Sequence, residues 1–151
     1  MYFIVYWNSP DMVFQVVPTL QEQWLITFSL MTHSNPLDEL PRSVIHLSTF
    51  LWFRVKCGPE KYELQAEVMP NTVNEKIFRD LSTLPLERFV VVIASFLFDP
   101  IMNKHIFEIR IDGLLVLSSD QSEIEPVIRN DVSVKGGSMH GNIKNIMIKS
   151  L

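Results

Sequence analysis

The chain is predicted to fold as an all-β, antiparallel β-sandwich of jelly-roll type, and three features carry that expectation. Apolar residues recur with a period of two more often than with the helical period. About eleven such segments follow one another at close spacing, several bounded by proline or glycine, as in all-β sandwiches and barrels. Asp112-Gly113 stands between two of them, and both residue types tolerate the positive φ of a tight hairpin turn.

Tyr2 to Trp7 and Met12 to Val17 are the first strand candidates. In the next, "WLITFSL", Trp24, Ile26, Phe28 and Leu30 share one face while Thr27 and Ser29 take the other, so one side packs on a core. Ser43 to Ser48 and Trp52 to Cys57 follow. "YELQAEV" sends Tyr62, Leu64, Ala66 and Val68 inward and Glu63, Gln65 and Glu67 outward. The stretch "NTVNEKIFRDL" departs from this pattern. Val73, Ile77 and Leu81 recur at spacings of four, and Thr72 with Glu75 would form a capping box, which allows one short helix around residues 73-81, while tertiary packing could instead draw the segment into a strand with flanking loops. Phe89 to Phe98 is again a strand, and "HIFEIRID" alternates most cleanly, with Phe107, Ile109 and Ile111 opposite Glu108, Arg110 and Asp112. Leu114 to Leu117, Asp131 to Val134 and Ile143 to Lys149 complete the set. The Gly136-Gly137 pair reads as a strand-end turn or bulge that needs positive φ.

Neither an internal repeat nor a linker interrupts residues 1-151, so a single sandwich domain is expected, long enough to bury about two-thirds of its unfolded surface. The composition, 47% hydrophobic and 20% charged, is that of a compact chain. Thirteen basic against seventeen acidic residues give a net charge of −4, with no Lys/Arg cluster to draw a phosphate backbone, so nucleic acid is excluded as a partner. The apolar start "MYFIVYWNSP" lacks the basic region and cleavage site of a signal peptide. The longest apolar run, Phe89 to Phe98, falls short of the roughly 20 residues that span a bilayer. A soluble protein without membrane insertion is expected, its compartment undetermined and its source open, including a domain of a larger extracellular protein. Cys57 is the only cysteine and reads as a small buried hydrophobe.

From Phe107 onward the segments "FEIRIDG", "LLVL", "VSVKGG" and "GNIKNIMI" resemble the end of a laminin-G-like domain, within the concanavalin A-like lectin-type sandwiches. Earlier, "QWLITFSL" followed by "SVIHLS" resembles the strand pair that opens such domains, and "LERFVVVIASF" the strand before their Asp-Gly hairpin, with Phe89 in place of the usual tryptophan. "FEIRIDG" is also similar to a galectin strand. The galectin sugar signature is not carried over: in "HLSTFLWFR", His46 is present, but Ser48 stands for Asn and Phe50 for Arg.

The resemblance implies ligand binding at a concave sheet face or at loop tips. Sugar recognition calls for an aromatic platform beside hydrogen-bonding groups, and the best local set is His46, Trp52 and Arg54. The simpler reading puts Trp52 in the core and leaves His46 and Arg54 as solvated strand residues. Calcium is the resemblance's other implication, for which Asp112, Asp120, Asn130 and Asp131 are the nearest set; they lack the oxygen-ligand spacing of a sequential calcium loop, so no cofactor is expected. His33, His46, His105 and His140 have no zinc spacing, so no metal site is expected. No phosphate-binding loop or serine-hydrolase motif occurs. Glu108, Arg110 and Asp112 read as cross-strand ion pairs and not as catalytic acids. The expected function is a non-catalytic recognition module for a glycan or a protein ligand. One alternative is a structural protein that assembles, as a homo-oligomer, through sheet edges, with "MYFIVYW" adding to a neighbouring sheet. The other is a divergent glycoside hydrolase using Glu63, Glu67 or Glu108.

Overall fold

The computed structural model describes residues 4–6, 13–33, 42–48, 50–57, 62–68, 77–119, 124–137 and 141–151. Among them run twelve strands and no helix. The strands are β1 (Ile4–Tyr6), β2 (Val13–Leu20), β3 (Trp24–Thr32), β4 (Arg42–Leu47), β5 (Leu51–Cys57), β6 (Tyr62–Val68), β7 (Ile77–Leu84), β8 (Phe89–Asp99), β9 (Lys104–Ile111), β10 (Leu114–Ser119), β11 (Arg129–Gly136) and β12 (Gly141–Ser150). They form two six-stranded sheets, ordered β1-β12-β3-β8-β9-β10 and β2-β11-β4-β5-β6-β7. Every ladder between named strands is antiparallel. The expected all-β sandwich is therefore what forms.

Alternation of the side chains explains why the sheets pack. Trp24, Ile26, Phe28 and Leu30 of β3 and Val90, Val92, Ala94 and Phe96 of β8 are buried on one side of the first sheet. Leu51, Phe53 and Val55 of β5 and Leu64 and Ala66 of β6 answer them from the second. Phe28 meets Phe53 edge-on across the gap at 5.3 Å between ring centres, a geometry aromatic quadrupoles favour. Each large apolar side chain so buried contributes about 1.5–3 kcal/mol. Trp24 seals one end of this core against Phe50, Phe96 and Phe107. Over Phe50 lies the Arg129 guanidinium at 4.5 Å, its Nη1 donating to the carbonyls of Glu125 and Val127. Burial there lowers the Arg129 pKa from its ordinary value, with Glu125 opposing the shift.

Of the two readings open for residues 73-81, the short helix is corrected by β7 and the strand is what forms. Residues 73–76 lie outside the described part, but from Ile77 the chain is extended and pairs with β6 from Tyr62↔Leu84 to Val68↔Ile77. A helix of that length is marginal in water on its own. As a strand the segment instead satisfies the outer edge of β6 and buries Leu84. The register shifts between Leu64↔Ser82 and Gln65↔Asp80, so Leu81 is the extra residue of a bulge that still packs on the core. From Ile77 on, the spacing that suggested a helix is thus a strand with a bulge in it.

Two further expectations are refined. The Asp112-Gly113 turn forms as read, with φ of 49° and 84°. Gly137, by contrast, has no positive φ; a Cβ placed there would run into the carbonyl of Ser43, so glycine is required for close approach of two backbones. The N-terminal strand is an edge strand of its own sheet, β1 pairing with β12 through Ile4↔Lys144, Val5↔Ile143 and Tyr6↔Asn142. The side chain of Cys57 lies outside the described part, as do Asp120 and His140.

Candidate functional site

The outer face of the β2-β11-β4-β5-β6-β7 sheet is where the candidate residues meet. Leu51, Phe53 and Val55 point inward, so Trp52, Arg54 and Lys56 point outward. The ladders set their neighbours: Lys135, His46 and Trp52 make one row across β11, β4 and β5, and Ser43, Arg54, Gln65 and Asp80 make the next across β4 to β7. Lys56 and Glu63 face each other one row further on. Rows are about 7 Å apart and strands about 4.8 Å.

Trp52 is half-buried on this outer face and does not belong to the core. Its ring stacks on His46 at 4.3 Å with 13° between the planes. The position is held by the β4–β5 turn. Ser48 takes a positive φ of 45°, its N–H donates to Ser133 O and its Oγ accepts from Ser133 N, and its own carbonyl accepts the indole Nε1–H of Trp52 at 2.8 Å. Such an anchored aromatic pair is preorganised, so little side-chain entropy remains to be lost on binding.

Arg54 is held in the same way by a chain of hydrogen bonds. Its Nε donates to Gln65 Oε1 at 2.6 Å, and Gln65 Nε2 donates in turn to Asp80 Oδ1. Gln65 is buried although it belongs to the outer row, and both ends of its amide are used, which satisfies a polar group that would otherwise be costly to bury. The guanidinium is thereby held toward β6 on the row next to the His46–Trp52 stack, a planar set of donors suited to carboxylates and hydroxyls. His46, Trp52 and Arg54 are brought onto one face. Gln65 and Asp80, which complete the arrangement, were not singled out by sequence. The alternation of "YELQAEV" put Gln65 outward, but only the β5–β6 register shows that it meets Arg54.

The carboxylates proposed for glycosidic cleavage do not converge. Glu63 and Glu67 stand four residues apart on β6, about 13 Å of strand. Glu108 lies on the other sheet, where Arg110 Nη2 donates to its Oε2 at 2.8 Å. Glycosidases need two acids about 5 to 9.5 Å apart. Nor does the calcium set come together. Asp112 closes the β9–β10 turn of the first sheet, its Oδ1 accepting from Val91 N, while Asn130 and Asp131 lie on β11 of the second. Among the described residues no three His, Cys, Asp or Glu side chains gather into a metal-binding group.

No protein-family model matches the chain, and no curated protein matches it in sequence. Solved structures do match in fold. A native heptameric SAP-like pentraxin from Limulus polyphemus superposes with a TM-score of 0.64 at 8% identity, covering 99% of this chain and 77% of the pentraxin. An alginate lyase from Pseudomonas aeruginosa gives 0.62 at 10% identity, over 89% of this chain and 68% of the lyase. Sheep galectin-11 gives 0.54 at 8% identity, over 93% and 98% of the two chains. At such identities the likeness speaks for architecture, and the architecture is the one expected from the closing strands: the chain has a concanavalin A-like, lectin-type β-sandwich fold.

Proposed function

We propose that the protein is a non-catalytic recognition module that binds a glycan on the outer face of the β2-β11-β4-β5-β6-β7 sheet. The observation that carries this reading is the fixed pairing of an aromatic stack, His46–Trp52, with the Arg54–Gln65–Asp80 hydrogen-bond chain on the adjoining row. An aromatic ring meets the apolar side of a sugar, and neighbouring guanidinium, amide and carboxylate groups meet its hydroxyls. Lectin-type folds among the structural neighbours support the same reading. No cofactor is called for. The test is a glycan array followed by calorimetry, with and without calcium, on the wild type and on Trp52→Ala and Arg54→Ala proteins that retain the native circular dichroism. Saturable binding that falls at least about tenfold in both variants, some 1.4 kcal/mol, is the expected result. Binding that survives both removes this face from consideration, and absence of any glycan ligand shifts the proposal to a protein partner.

A second reading rests on the alginate lyases among the neighbours. Elimination from a uronate needs its carboxylate neutralised and a base for the adjacent proton. Arg54 with Gln65, and His46 on the next strand, are groups of those kinds. Incubation with alginate, followed by ultraviolet absorbance of the unsaturated product, decides it; turnover lost in His46→Ala would make the protein a lyase.

A further inference from the structure

The outer face of the other sheet is unusually apolar. Its outward positions on β8 are Val91, Ile93, Ser95 and Leu97, and Leu115 lies beyond them on β10. Val91, Leu97 and Leu115 are 43%, 38% and 49% exposed. A sheet with only water on its second side ordinarily carries polar residues there, and contiguous exposed apolar surface marks an interaction site. Charge also differs across this apolar strip: Lys144 and Lys149 stand on β12 to one side, and Glu108 and Asp112 stand on and just after β9 to the other, where Arg110 pairs with Glu108 and Arg88 lies 3.6 Å from Asp112.

The registers give these charges matching places. Lys149 lies opposite Leu25, Leu25 opposite Ser95, and Ser95 opposite Glu108, one row across four strands. Two rows on, Lys144, Ser29 and Val91 form a line that ends on Asp112, whose N–H donates to Val91 O. Lysine and carboxylate are therefore equidistant from the midline between β3 and β8. A two-fold axis along that midline, lying in the plane of contact, sets β12 of one copy over β9 of another. Each Lys149 then faces a Glu108, and Lys144 and Asp112 occupy corresponding places.

We propose that this face is a homodimer interface, on which a second copy of the chain packs sheet to sheet. The exposed Leu151, next to Ser150 on β12, comes over a hollow of about 390 Å³ lined by Leu97, Pro100 and Ile106 together with Asp99, Glu108 and Arg110. Stacked sheets sit about 10 Å apart with strands about 30° from parallel, which an axis bisecting the two strand directions permits. The five strands from β12 to β10, about 4.8 Å apart and about 20 Å long, present some 500 Å² per copy without β1. The pair buries about 1,000 Å², the size at which specific interfaces begin. The two faces that carry His46, Trp52 and Arg54 then point away from each other, so the dimer offers two binding faces whatever their ligand is.

Sedimentation equilibrium from about 1 to 100 μM tests the proposal. The wild type is expected to be dimeric within that range, and Val91→Lys and Leu97→Lys monomeric with unchanged circular dichroism. Lys149→Glu and Glu108→Lys, each alone, should weaken the dimer about tenfold or more. An equimolar mixture of those two variants should recover it, because every reversed charge then meets its opposite. A wild type that stays monomeric, a dimer indifferent to Val91→Lys, or a mixture that shows no recovery would each overturn the proposal.

Discussion

At Gly137 the chain leaves β11 so close to Ser43 of β4 that a single added methyl would have to occupy the space of the Ser43 carbonyl. The obstacle is backbone, which cannot rotate aside as a side chain can. Relief requires β4 and β11 to separate, at the place where Gly137 N donates to Val44 O. Gly137→Ala is therefore expected to destabilise the fold by about 2 kcal/mol, as overpacking does, read from the urea midpoint at unchanged m-value. The sequence shows why such a residue escapes notice: a glycine pair signals turn or bulge, whereas close approach depends on a strand some ninety positions away, about which local chemistry is silent. The site has the same limitation. The spacing of Trp52 and Arg54 put them on one face of a strand, but Gln65 and Asp80 became partners of Arg54 only through the pairing of β5, β6 and β7.

Among the elements, β3 and β9 were legible because each buries one face and turns a less buried one outward, and a period of two then reports the environment directly. β7 was not, because a bulge breaks the period and its place at the sheet's edge weakens the alternation. β1 is also an edge strand, and it holds to β12 by three residue pairs alone. Cross-strand pairs contribute roughly 0.2–1 kcal/mol each. Removal of residues 1–7 is accordingly expected to cost about 1–3 kcal/mol and to leave a cooperative urea transition, since β12 keeps its ladder with β3. The same deletion separates two modes of association. Loss of dimer in the truncated protein would point to assembly through the edge, whereas a dimer that persists agrees with contact through the β3–β8 face.

For the molecule as a whole, order in the sheets and order along the chain are interleaved. β12 lies between β1 and β3, and β11 lies between β2 and β4, so the last two strands of the sequence are interior strands of the two sheets. Each brings core as well as ladder: Ile143 and Ile146 from β12 and Val132 and Val134 from β11 are fully buried or nearly so. Neither sheet can close by adding neighbours in sequence, and the loop-closure entropy of bringing β12 to β1 must be met before most of the hydrophobic gain arrives. Refolding is thus expected in milliseconds to seconds, the range of sandwiches dominated by distant pairing. Truncation should be sharply asymmetric. Removing residues 1–7 takes an edge strand, but removing residues 141–151 takes the partner of both β1 and β3 and leaves the core open along its length. Loss of two buried isoleucines alone costs about 4–10 kcal/mol, comparable to the whole stability of a domain this size. The C-terminal truncation should show no cooperative unfolding by far-ultraviolet circular dichroism in urea, and a sigmoidal transition there would mean that β3 and β8 hold the first sheet without β12.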